Sequence, residues 1–414
     1  MPSAAAHSRQ PTRSTTVAPQ LTLIEGEPAK RVALTDMEYT ALQRLGIATV
    51  VPTTTPGVYD ISAGRKVGAV SLGDRELLVR PKIRDLNRLV FLAGYALKPE
   101  VWRDDPVHLE PSDDLMPALA EAFSRITTRA TEQGLVMGYH TVSDTSPVLR
   151  GRLLAGVQMS RRYGLPVPLA VEYDEFSSDT AENRLLLLAT TRLLTVARLS
   201  EPARKRLHRL RAALSEVTLL PRGAAIPSWQ PNRLNARFHA ALRLAELALA
   251  AESFEHRFGS LIVTGYMFDM WKIYEDFVCT ALAESLTPYG GHCAPQHRMP
   301  MDEAGEVTMR PDLVWFGRGP TPRAIVDAKY KMESPSGYPD ADLYQMLAYC
   351  TVTELDHGHL VYAKGNAPIR AHRILGSPVT IHCHALDLSL PPSDLLAAVD
   401  DLAARIAATP AKEL

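Results

Sequence analysis

Two apolar runs late in the chain, LVWF at 313–316 and AIV at 324–326, each abut an aspartate. Asp312 stands directly before the first and Asp327 directly after the second. A surface hairpin would alternate apolar and polar residues, so these runs read as buried strands. The surrounding sequence agrees. VTMRPDLVWF, RAIVDAKYK, HLVYAK and VTIHCHAL have strand character, DLYQMLAYC is helical, and a last helix covers about 391–407. Strands interleaved with helices define an α/β unit.

Upstream the pattern changes twice. Residues 21–80 read as β, with LTLIEGEP, YDISAGRKVGAVSLG and RELLVRPKI set between Gly, Pro and Asp breakers. A helix is expected at 86–97 and another at 112–130, capped by Ser112 or Asp113, with extended pieces near 135–142 and 164–173. From Asp179 to about Leu286 the pattern is helical, opened by an Asp179/Glu182 capping box. Four helices are expected there, the third at about 232–252 and the fourth at about 262–286. The expected fold is mixed α/β: a disordered tail at 1–20, a β-rich domain at 21–175, a helical linker region at 176–260 and an α/β domain at 261–414. No internal repeat is visible.

The 45 Lys and Arg residues nearly balance 46 Asp and Glu, so bulk charge gives no argument for nucleic-acid binding. Four scattered cysteines without a CxxC pair point to a reducing cytoplasm. The N-terminus has no apolar signal core, and no apolar run reaches the ~18 residues that span a bilayer.

Side chains at i and i+2 of a strand share a face, so Asp327 and Lys329 point the same way. A neighbouring strand ending at Asp312 would add a second carboxylate beside them. Two carboxylates and a backbone carbonyl form a hard oxygen site suited to Mg²⁺, and the adjacent ammonium can stabilise charge on a scissile phosphate. This is the chemical logic of a PD-(D/E)xK nuclease site. The spacing alone also fits an ordinary Asp–Lys pair on a hairpin. On the helix DLYQMLAYC, Leu343, Met346, Leu347 and Cys350 form one stripe, while Gln345 and Tyr349, four apart, share another face. Upstream, Glu275 flanks the stripe Trp271, Tyr274, Val278 and Leu282, where a carboxylate needs a partner such as a metal.

In order and spacing, GAVSLGDRELLVRPKI, VLRGRL, EYDEFSSDTAENRLLLLA, MFDMWKIYEDFV, RPDLVW, IVDAKYK and DLYQMLAY resemble the McrC family, the nuclease subunit of the McrBC modification-dependent (5-methylcytosine) restriction system. The Gln345-x-x-x-Tyr349 pair is similar to a motif of RecB-like nucleases. The resemblance implies Asp312, Asp327 and Lys329 as the catalytic triplet, Glu275 as a further metal ligand, and Gln345, Tyr349 and Lys331 as supporting residues. It also implies a PD-(D/E)xK endonuclease core, double-stranded DNA as substrate, and a separate McrB-like AAA+ GTPase motor. The N-terminal lobe would dock on that motor and stimulate its GTP hydrolysis. The chain itself has no GxxxxGK[ST] loop and is expected to bind no nucleotide that way. Two alternatives stay open: a non-cleaving adaptor of the same motor, and a solitary RecB-like nuclease.

Other features read more blandly. The Arg204–Arg211 cluster suits a solvated helix face better than a phosphate grip. His292, Cys293 and His297, and likewise His382, Cys383 and His384, are poor zinc sites, the second because alternate strand residues face opposite sides. The glycines of GRKVGAVSLG read as hairpin turns. Arg80, Lys82 and Arg84 around Pro81 have no role assigned from sequence.

Overall fold

The computed structural model describes residues 20–82, 86–97, 99–102, 115–163, 165–196, 198–221, 223–258, 260–317, 319–330, 340–363 and 370–409. The expected tail, the Ser112/Asp113 cap, Arg84 and Lys331 lie outside the described residues. The N-terminal part runs β1 (Gln20–Ile24), β2 (Lys30–Ala33), α1 (Asp36–Leu45), β3 (Ala48–Pro52), β4 (Val58–Ala63), β5 (Lys66–Leu72), β6 (Arg75–Arg80), α2 (Leu86–Leu97), α3 (Pro99–Trp102) and α4 (Leu115–Thr131). A small sheet unit follows: β7 (Gly138–Ser146), β8 (Arg152–Leu153), α5 (Ala155–Arg162) and β9 (Leu169–Ser177). Then come α6 (Ala181–Leu193), α7 (Glu201–Ala213), α8 (His239–Ala250), β10 (Glu252–Phe258) and β11 (Leu261–Asp269). The C-terminal part holds α9 (Met270–Leu286), β12 (His292–Pro295), β13 (Met299–Pro300), β14 (Thr308–Met309), β15 (Leu313–Phe316), β16 (Pro322–Lys329), α10 (Asp340–Thr353), β17 (His357–Ala363), β18 (Arg370–Arg373), β19 (Thr380–Leu386) and α11 (Pro392–Ala408). The mixed α/β expectation holds.

Three local readings need correction. Residues 36–45, read as β, form α1, which Thr35 and Glu38 close as a capping box. The cap of α6 is Thr180, not Asp179. Its hydroxyl accepts the Asn183 N–H, whereas Asp179 takes the Arg184 guanidinium in a two-pronged pair. The expected helix at 262–286 is helical only from Met270. Its first part is β11, which pairs antiparallel with β5 from Val263↔Leu72 to Asp269↔Lys66. With β10, also read as helical or linker, it completes the N-terminal sheet β1-β6-β5-β11-β10. Gly265 permits this pairing, since a Cβ there would lie 2.7 Å from the Ala69 carbonyl oxygen.

The C-terminal sheet has the order β12-β15-β16-β17-β19-β18, with β16, β17 and β19 parallel. Its two faces are distinguished by strand alternation. Leu313, Trp315, Ala324 and Val326 join a core with α9 and α11, and Val314, Phe316 and Ile325 join a second core with α10. The first core continues into the N-terminal lobe, where Phe91 and Tyr95 of α2 meet Phe277 of α9 at ring distances of 6.1 and 5.6 Å. The sheet is therefore buried on both faces, which is why its strands lack alternation.

Candidate active site

The candidate residues meet where β15 begins and β16 ends. Asp312 precedes the four buried residues of β15, and its Oδ2 accepts the Ala328 N–H at 2.8 Å. Antiparallel pairing of β15 with β16 (Leu313↔Val326) sets this contact. Asp327 is only 2% exposed, which calls for a positive partner. Lys329 provides one, with Nζ against Asp327 Oδ2. Burial lowers the Lys329 proton affinity, but Asp327, Asp342 and Asp312 outweigh it and hold the ammonium above its ordinary value.

Glu275 arrives from α9 on the other face of the sheet. Asp269 starts this helix by accepting the N–H groups of Trp271 and Lys272 at 3.0 and 3.2 Å. One amide joins the two acids: Gln296 Nε2 donates to Asp312 Oδ1 at 3.1 Å and to Glu275 Oε1. Gln296 sits at φ +51° just after β12, and its own N–H donates to the Asp312 carbonyl at 2.9 Å. Nothing in the sequence marked Gln296, because its role depends on a strand pairing and not on spacing.

Gln345 and Tyr349 border the site. Lys329 Nζ donates to Gln345 Oε1 at 2.9 Å, and Gln345 Nε2 donates to the Tyr349 hydroxyl at 2.8 Å. Tyr349 in turn donates to the Arg310 carbonyl at 3.4 Å, and Arg310 Nε donates to the Gln296 carbonyl at 3.3 Å. The polar chain thus runs from Lys329 around to the Gln296 loop. Burial, helped by Asp327, pushes the Tyr349 phenol up to about 12.

The cluster carries an excess of negative charge. Burial first, then Asp327 and Glu275, push the Asp312 carboxyl up to about 8. Glu275 is raised as well, by burial and then by Asp276, with Lys272 opposing. One carboxyl raised to about 8 beside a second raised one marks a place where a dication would lower the energy. The donors are all oxygens, which suits hard Mg²⁺. Among the described residues no three His, Cys, Asp or Glu side chains make a ready cage. Mg²⁺ does not need one, since it takes one or two carboxylates and fills its shell with water and substrate phosphate. Asp312 and Asp327, with Glu275 beside them, fit that mode.

The other sequence candidates fall elsewhere. His292 stacks on Phe316 at 5.0 Å and His297 meets the same ring edge-on at 5.3 Å. His382 and His384 stack with His357 and His359 on one face of the sheet, with Nδ1···Nε2 contacts of 3.1 Å. In α7, Arg206 pairs with Glu121 of α4, and Lys205, Arg209 and Arg211 are exposed.

The sequence model of the McrBC 5-methylcytosine restriction system component family matches residues 61–363. No curated protein matches the chain. A chain of the Thermococcus gammatolerans half-complex, refined from a tetradecameric assembly of McrB AAA+ hexamers with bound McrC, aligns at TM-score 0.56 and 17% identity. That alignment covers 92% of this chain and 100% of the other, and shows a shared fold. A chain of the cryo-EM Thermococcus gammatolerans McrBC complex aligns at TM-score 0.37 and 20% identity, covering 64% of this chain and 88% of the other.

Proposed function

The chain belongs to the McrBC 5-methylcytosine restriction system component family, and from that premise we propose that it is the Mg²⁺-dependent DNA endonuclease subunit of such a system, working with an AAA+ GTPase motor. One observation carries the reading: Asp312, Asp327 and Lys329 come together at one strand end, with Glu275 joined to Asp312 through Gln296. Asp312 and Asp327, with Glu275 at their side, would hold Mg²⁺, which supplies Lewis acidity toward a phosphate oxygen. Lys329, kept protonated by the surrounding aspartates, stabilises charge on the scissile phosphate. Gln345 fixes the Lys329 ammonium, and Tyr349 ties Gln345 to the Arg310 backbone.

A motor partner is supported by surface as well as by family. Met159, Tyr139, Tyr163 and Leu165 are 60–90% exposed on or beside the small β7–β9 unit and offer apolar side chains to a partner. No helix of the described residues is long and apolar enough to cross a membrane. A non-cleaving adaptor would have no use for the intact Asp–Asp–Lys set.

The test is Asp327→Ala in the full chain, mixed with its AAA+ partner, GTP, Mg²⁺ and 5-methylcytosine duplex. Cleavage should vanish, while stimulated GTP turnover stays near wild type, because the apolar framework is untouched. Wild-type cutting by the variant would remove Asp327 from the site and end the nuclease reading.

A further inference from the structure

Tyr330 directly follows Lys329, the last residue of β16, and is buried in the core on the α9 side, 3% exposed. A buried aromatic there needs only apolar neighbours, and Tyr274 supplies one at a ring distance of 5.7 Å. Its polar atoms instead reach the N-terminal lobe. The phenol donates to Glu25 Oε2 at 3.0 Å. Lys82 Nζ donates to the Tyr330 carbonyl at 3.4 Å and sits 4.0 Å from the centre of its ring. Glu25 and Lys82 are themselves joined, since the Lys82 N–H donates to Glu25 Oε2 at 3.3 Å. The Glu25 N–H donates to the Arg80 carbonyl at 3.0 Å, which fastens the turn after β1 to the end of β6. These contacts bridge 305 and 248 residues of sequence.

The grip falls on the backbone beside the lysine. On one side of Lys329 the Ala328 N–H is held by Asp312, and on the other the Tyr330 carbonyl and hydroxyl are held by the N-terminal sheet. A strand end fixed on both sides sets where the Lys329 Cα and Cβ sit relative to Asp327. A charged carboxylate acceptor and an ammonium over a ring face are both strengthened in a buried setting. Burial raises the Glu25 carboxyl, and Lys82 opposes that rise.

We propose that Glu25 and Lys82 are positioning residues for phosphodiester cleavage, acting through Tyr330 to aim Lys329, so that cutting depends on the placement of the N-terminal lobe. The proposal rests on the nuclease reading above and gives Lys82, unassigned from sequence, a role. The lobe that carries Glu25 and Lys82 is also the one expected to dock on a motor, so its displacement would reach the catalytic lysine through one residue, Tyr330.

The test uses the full chain with its AAA+ partner, GTP, Mg²⁺ and 5-methylcytosine duplex. It reads single-turnover cleavage, half-saturating DNA, GTP turnover and thermal unfolding for Tyr330→Phe, Glu25→Ala, Glu25→Gln and the double variant Glu25→Ala/Tyr330→Phe. Tyr330→Phe keeps the ring and its packing. Tyr330→Phe and Glu25→Ala should each slow cleavage about 5–20-fold at unchanged half-saturating DNA and GTP turnover, below the ~10²-fold that a 1 Å misplacement can cost. The double variant should be no slower than the worse single one, because both remove the same link. Glu25→Gln keeps an acceptor and should recover most of the rate. Wild-type cleavage by Tyr330→Phe, or a Glu25→Gln variant as slow as Glu25→Ala, overturns the proposal. If Glu25→Ala does not fold, Tyr330→Phe decides alone. Asp327→Ala run alongside separates the two claims. Asp327-dependent cutting that ignores Tyr330→Phe sinks this proposal only, whereas cutting that ignores Asp327 sinks the nuclease reading and this proposal with it.

Discussion

Asp312→Asn should make the metal-free protein more stable and inactive at once. The folded chain keeps a proton on Asp312 up to about 8, against an ordinary value of 3.8. The unfolded chain releases that proton much earlier. Proton binding is therefore greater in the folded state between about pH 4 and pH 8, and stability falls as pH rises through that window. At ~1.4 kcal/mol for each pH unit, a gap of about four units bounds the penalty at roughly 5 kcal/mol by pH 8. Asn keeps one acceptor for the Ala328 N–H but turns an NH2 toward Gln296, so the burial cost of the charge and the repulsion from Asp327 and Glu275 are relieved at the loss of one hydrogen bond. The expected gain is about 1–3 kcal/mol at pH 8 and close to zero near pH 4. Urea unfolding in EDTA at pH 4.5 and pH 8 measures both values. Added Mg²⁺ should then stabilise the wild type at pH 8 and leave the variant nearly unchanged, because only binding to the folded state shifts the midpoint. A variant equally destabilised at both pH values would refute the strained acid. One stabilised by Mg²⁺ like the wild type would remove Asp312 as a ligand.

Two further outcomes follow from the C-terminal sheet. Burial first, then Arg405 and His382, hold His384 at about 3, below the 6.5 of a free imidazole. The unfolded chain takes up that proton first, so this contribution is intact above about pH 6.5 and is lost as pH falls toward 3. His384→Leu should move the acid-unfolding midpoint to lower pH by circular dichroism, and an unmoved midpoint would count against the buried neutral ring. Gly358→Ala would place a Cβ 2.5 Å from Met346 Sδ and 2.7 Å from Cys350 Sγ, forcing α10 off β17. The expected loss is about 1–3 kcal/mol in thermal or urea unfolding, with part recovered in Gly358→Ala/Met346→Ala. An unchanged melt would mean that α10 shifts without resistance.

Which parts of this were legible in advance depended on range. The helix 86–97 and the final helix followed from apolar spacing and breakers, and α2 and α11 match them closely. Residues 262–269 read as helix because Ile262, Val263 and Thr264 run on toward a genuine helix whose start is marked only by the Asp269 cap. The β-branched run and Gly265 were the available strand cues. α1 also had a readable cue, Thr35 three residues before Glu38, which the β character of its neighbours obscured.

By itself the sequence determined the pairing of Asp327 with Lys329, because a strand period of two puts i and i+2 on one face whatever surrounds it. It also determined that Gln345 and Tyr349 share a helix face, for the same reason at period 3.6. Only the tertiary structure decided that Gln296 would join Glu275 to Asp312, that β11 would complete an N-terminal sheet before launching the helix of Glu275, and that Glu25 and Lys82 would hold the residue after the lysine. Backbone periodicity is local and acts within a few residues. These other contacts join residues that are neighbours only once the sheets have paired and the cores have closed.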